Sequence, residues 1–141
     1  MTALRVVSLP SLILSPTHRV VVGLTLLLAS ACAGPSGPLD GEWKLASTPS
    51  SPLDPRTLIL HQRDTTITGS GTAMGVDVPV ELAVMGSVQG DAIEIQFRDP
   101  YNGSDLGRFT ATLAKPNQLV GRFTASVVYG GLSDSLMYAR Q

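Results

Sequence analysis

The sequence predicts an all-β fold, a small antiparallel up-and-down barrel of about eight strands over residues 40–141. Three observations predict it. Apolar residues recur with period two, and no run holds an i, i+3, i+4, i+7 stripe for more than a turn or two. The alternating runs are rich in β-branched residues and are punctuated by Gly, Pro, Asn and Asp. Fourteen Gly, ten Pro and 15% charged residues exclude a helical bundle or coiled coil, which draws on Glu, Lys and Ala.

The strands follow in order. Trp43 and Leu45 alternate with Glu42, Lys44 and Ala46. Leu58 and Leu60 stand opposite Thr57 and His61. Ile67, Gly69, Gly71 and Ala73 share a face against Thr66, Thr68, Ser70 and Thr72. Val76, Val78, Val80, Leu82 and Val84 occupy even positions, with Asp77 and Glu81 between them. Ile93, Ile95 and Phe97 oppose Glu94, Gln96 and Arg98. Phe109, Ala111 and Leu113 oppose Arg108, Thr110 and Thr112. Leu119, Gly121, Phe123, Ala125 and Val127 oppose Arg122, Thr124 and Ser126, and a short run from Leu136 to Arg140 ends the chain. The connections at Arg63-Asp64, Gln89-Gly90-Asp91 and Lys115-Pro116-Asn117 are hairpin-short. Successive neighbours joined by hairpins form a meander. One apolar face throughout requires closure or a second sheet, and closure needs no long crossover. Gly107-Arg108-Phe109-Thr110-Ala111 recurs as Gly121-Arg122-Phe123-Thr124-Ala125, so a hairpin turning at Pro116-Asn117 sends both Phe inward and both Arg outward.

The first thirty-one residues read as an address. Arg5 and Arg19 precede an apolar run, Val20 to Leu28, and no acid occurs before Asp40. The run is shorter than the ~20 residues of a spanning helix and leads into small residues, the pattern of a secretory signal. Leu28-Ala29-Ser30-Ala31-Cys32 resembles the lipobox of bacterial lipoproteins, with Leu28 one step further from the cysteine than the usual pattern places it. The resemblance implies diacylation of Cys32, the chain's single cysteine, a membrane partner through N-terminal acyl chains, and residence in the bacterial envelope. Ala33 in place of Asp implies the outer membrane. Ordinary cleavage near Ala29-Ser30-Ala31, giving a secreted or periplasmic protein, is the alternative. Residues 32–39 read as a Gly/Pro/Ser tether carrying the lipid, and 40–141 as the barrel domain. From Cys32 onward eight basic and eleven acidic residues remain, a net charge near −3, so nucleic acid is not an expected partner.

Gly41-Glu42-Trp43, at the start of the first strand, resembles the G-x-W opening of lipocalin-like barrels. The chain is similar to the abridged lipocalin-like (calycin-type) domains of bacterial envelope lipoproteins, without the length, second motif or C-terminal helix of a full lipocalin. That resemblance implies Trp43 plugging the closed end against an Arg of a late strand, Arg140 or Arg122.

An eight-stranded barrel either fills with its own side chains or holds one small ligand. The expected inner face combines Gly69, Gly71, Ala73, Ala111, Gly121 and Ala125 with four aromatic lining candidates, Trp43, Phe97, Phe109 and Phe123. The leading expectation is a hollow interior that binds or carries a small hydrophobic ligand. The other is a filled-core interaction module meeting another envelope protein through its Thr-rich faces or strand edges. Catalysis is not expected. His61 is the only imidazole after the leader, and no G-x-S-x-G turn surrounds a serine. Neither a cofactor nor a metal is expected. The loop Asp99 to Asp105 lacks the alternating acids and bidentate Glu of a Ca²⁺ loop and reads as turn chemistry. Tyr129-Gly130-Gly131 reads as a connection placed to cover one mouth of the barrel.

Overall fold

The computed structural model describes residues 37–75 and 77–141. The signal segment, Cys32, residues 33–36 of the tether, and Val76 lie outside them.

Eight antiparallel strands run in chain order: β1 (Gly41–Leu45), β2 (Pro55–Arg63), β3 (Thr66–Met74), β4 (Pro79–Gln89), β5 (Ala92–Arg98), β6 (Asp105–Lys115), β7 (Gln118–Ala125) and β8 (Ser133–Arg140). Each pairs with the next, and β1 pairs with β8 (Trp43 opposite Arg140, Leu45 opposite Tyr138), so the sheet closes into a barrel. Closure leaves unpaired strand edges only where a strand outruns a neighbour, as β4 does at residues 79–82.

The two ends of the barrel differ because their connections differ. At one end, β2–β3, β4–β5 and β6–β7 are joined by two-residue turns at Asp64-Thr65, Gly90-Asp91 and Pro116-Asn117. Asp64 (φ 53°) and Gly90 (φ 60°) adopt the left-handed conformation that such turns require. At the other end the connections are longer (46–54, 75–78, 99–104 and 126–132), and the last contains a 3₁₀ turn, Val127–Tyr129.

Alternation along the strands sets the interior. Trp43, Leu58, Leu60, Ile67, Leu82, Val84, Ile95, Phe97, Phe109, Leu119, Phe123, Leu136 and Tyr138 are buried, while Thr66, Thr68, Glu94, Arg108, Thr110, Arg122 and Thr124 face outward. The repeated pentapeptides pair with each other in β6 and β7. Phe109 lies opposite Phe123, and Gly107 opposite Ala125. Both Phe are buried and both Arg exposed.

Three expectations are corrected. Val78 and Val80 are not buried in the core: Val78 is 58% exposed and Val80 37%. Pairing of β4 with β5 begins only at Ala83 opposite Arg98. Residues 79–82 therefore rise above the barrel wall with β3 as their single neighbour, and burial begins at Leu82. Val127 is not the end of β7: the strand stops at Ala125, and Val127 opens the 3₁₀ turn at 88% exposure. Leu39, expected in the tether, is a core residue at 1% exposure. Polar bonds hold its segment down, with the Leu39 amide donating to Gln62 Oε1 (3.2 Å) and the Gln62 amide to Asp40 Oδ1.

Gly69 and Gly121 permit the tight curvature. A Cβ on Gly121 would stand 2.2 Å from the Thr110 carbonyl oxygen, and one on Gly69 2.0 Å from that of Ile59. Both distances are far inside van der Waals contact, so only glycine lets the neighbouring strand approach this closely.

Candidate functional site

The end with two-residue turns is plugged, and a concavity of about 230 Å³ lies beside the plug, bounded by Pro38, Leu39, Gln62, Val88, Ile93 and Leu113. Trp43 is fully buried there, its indole Nε1 donating to the Leu39 carbonyl at 2.9 Å. The Arg140 guanidinium carbon lies 4.6 Å from the indole ring centroid, and its Nη2 donates to the Pro38 carbonyl. Arg140, not Arg122, is thus the plug's partner: it lies directly across the β1–β8 pair from Trp43, whereas Arg122 points out of β7. Stacking a cation on a desolvated indole contributes about 1–2 kcal/mol.

The middle of the barrel is packed. Phe109 and Tyr138, both fully buried, meet edge to face at 5.4 Å between centroids. The Tyr138 hydroxyl donates to the Pro55 carbonyl at 2.8 Å. Burial, reinforced by the negative field of Asp54 and opposed by Arg56, pushes this phenol far above the ordinary tyrosine range. Asp54 is itself fully buried; its Oδ2 accepts from the amides of Ser50 (2.8 Å) and Ser51 (2.9 Å) and pins the β1–β2 connection.

The opposite end opens into a cavity of about 250 Å³, bounded by Leu53, Ala73, Val80, Leu82, Phe97, Leu106, Phe123 and Tyr129, with Asp99 at its edge. Phe97 and Phe123 form one wall, edge to face at 5.8 Å. Two connections at this end, 99–104 and 126–132, carry exposed apolar side chains: Val127 is 88% exposed, Tyr101 86%, Val128 76% and Leu132 63%. Large apolar side chains left in water at the end that also holds a concavity are the kind of surface a ligand or partner covers.

The four aromatic candidates therefore divide by height in the barrel. Phe97 and Phe123 line the cavity, Phe109 packs below it, and Trp43 seals the far end. The interior is not hollow throughout; its free volume at this end is confined to the mouth. Leu53, Leu106 and Tyr129 contribute to the cavity without having been singled out as lining residues. Leu53 and Tyr129 sit in connections, where periodicity carries no signal, although Tyr129 belongs to the segment expected to cover a mouth. Asp99 makes a turn: its Oδ1 accepts from the Tyr101 amide at 2.7 Å and its Oδ2 from Asn102 Nδ2 at 3.0 Å. His61 is exposed on β2. Among the described residues no cluster of His, Cys, Asp and Glu is arranged to hold a metal ion.

The closed meander is compatible with a calycin-like fold. Comparison with protein-family models, with curated proteins and with solved structures finds no match to this chain.

Proposed function

We propose that this is a lipid-anchored bacterial envelope protein of lipocalin-like type, whose barrel binds or carries a small hydrophobic ligand at its open mouth. The observation that carries the ligand half is the apolar cavity walled by Val80, Phe97 and Phe123, at the end of the barrel whose last connection exposes Val127, Val128 and Leu132. A ligand there covers apolar side chains that otherwise face water, at roughly 25 cal/mol for each Å² removed. The anchor rests on the Leu28-Ala29-Ser30-Ala31-Cys32 segment alone, with the outer membrane as the location implied by Ala33.

The second reading is an interaction module that another envelope protein covers at the same end. It is favoured by the filled lower barrel around Trp43, Phe109 and Tyr138. The two readings part at the cavity. Val80→Trp places a large ring across the mouth at a partly exposed position, where the core is not overpacked. A neutral apolar fluorophore, N-phenylnaphthylamine, should brighten on titration with the full-length protein and lose most of that response with Val80→Trp, far-UV circular dichroism being unchanged. Absence of any response from the unaltered protein would leave the interaction module standing.

A further inference from the structure

We infer that the cavity selects its ligand by size: it holds an apolar group of about ten carbons, a medium-length alkyl tail or a compact ring, and not the full acyl chain of a membrane lipid. This rests on the ligand-binding reading above and names the size class of the ligand. An engineered apolar cavity of about 150 Å³ in another protein holds benzene, about 25 Å³ for each carbon. On that scale the 250 Å³ at the mouth holds about ten carbons. The naphthyl ring of N-phenylnaphthylamine is of this size.

The surroundings make that volume a limit. Phe97 and Phe123 stand edge to face at 5.8 Å and are both buried. Pro55 also lines the cavity, and its carbonyl accepts the Tyr138 hydroxyl at 2.8 Å. Tyr138 in turn packs edge to face on Phe109, and neither ring has any exposed surface. A longer tail could go deeper only by parting these rings and leaving a buried hydroxyl without its acceptor, so added length stays outside, in water. Ala73 is the smallest side chain lining the cavity; it is buried, and it lies opposite Pro55 of β2 and Val80 of β4. A larger residue there grows into free volume. The concavity beside the plug is of similar size, but Ala73 does not border it, so substitution at Ala73 tells the two apart.

The test displaces N-phenylnaphthylamine from the full-length protein with hexanol, octanol, decanol and dodecanol, so that the head is constant and the tail grows. Affinity should rise about 4-fold for each added methylene as far as decanol, and less than about 2-fold for each one beyond it. Ala73→Leu fills part of the cavity and should move this break down to between hexanol and octanol. Ala73→Val, a smaller filling, should move it the same way by less, and it carries the test if the Leu variant loses its far-UV circular dichroism. An unbroken rise through dodecanol overturns the size limit while ligand binding stands. A break that both variants leave in place overturns its assignment to this cavity. Failure of every alcohol to displace the probe overturns the ligand-binding reading as well.

Discussion

Trp43 and Tyr138 use the same device at different heights in the barrel: a large ring buried whole, with its one polar atom donating to a backbone carbonyl. Leaving either donor unmade would cost about 1–3 kcal/mol, so both rings are fixed by their polar atoms as well as by packing. The Tyr138 phenol has a consequence for pH. It stays protonated in the folded protein beyond the pH, near 10, at which the unfolded chain ionises. Its contribution is therefore fully present below about pH 10 and is lost as pH rises above it. Urea denaturation at stepped pH should show stability falling above that point. Tyr138→Phe should flatten this alkaline limb, at a cost of about 1 kcal/mol at neutral pH because the Pro55 carbonyl loses its donor. Parallel alkaline limbs in the two proteins would contradict the assignment. Of these residues Trp43 was legible in the sequence, through the Gly41-Glu42-Trp43 opening, and Arg140 only as one of two possible partners beside Arg122. Tyr138 and Asp54 were not: a short final run hides a keystone ring, and a loop acid signals nothing until its burial is seen.

At the scale of strands, alternation was a reliable guide wherever a strand has neighbours on both sides. Ile93, Ile95 and Phe97 in β5, and Phe109 and Ala111 in β6, are buried as their spacing requires. It failed at Val78 and Val80, where β4 outruns β5, because alternation fixes which face a side chain takes and not whether another strand covers it. It failed at Val127 for the related reason that β7 ends at Ala125. The first failure bears on the candidate site, since Val80 lines its cavity. Glycine acts at this scale too. Gly121→Ala drives a methyl into the Thr110 carbonyl and Ala111 across the β6–β7 pair. It should lower stability by about 1–3 kcal/mol in chemical denaturation. Ser70→Ala, on the exposed face of β3, should change it by less than about 0.5 kcal/mol. Equal effects would show that the close strand approach is not needed for closure.

The whole molecule is polarised along the barrel axis. One end is plugged by the Trp43–Arg140 stack and the Leu39 cap and joined by two-residue turns; the other is apolar and open. The described chain enters at the plugged end, through Leu39 and Asp40. Closure was legible because alternation leaves a continuous apolar face that has to be buried. The end that stays open was not, because loop lengths reveal an opening only once the strands are in register. The central claim, an anchored carrier with an occupied mouth, is tested most directly by mass spectrometry of the full-length gene product purified from bacterial envelopes in mild detergent. The native spectrum should show a non-covalent small molecule that is absent from Val80→Trp, and the denatured spectrum a covalent diacylglyceryl increment on Cys32. A bare polypeptide mass in both spectra would contradict the account.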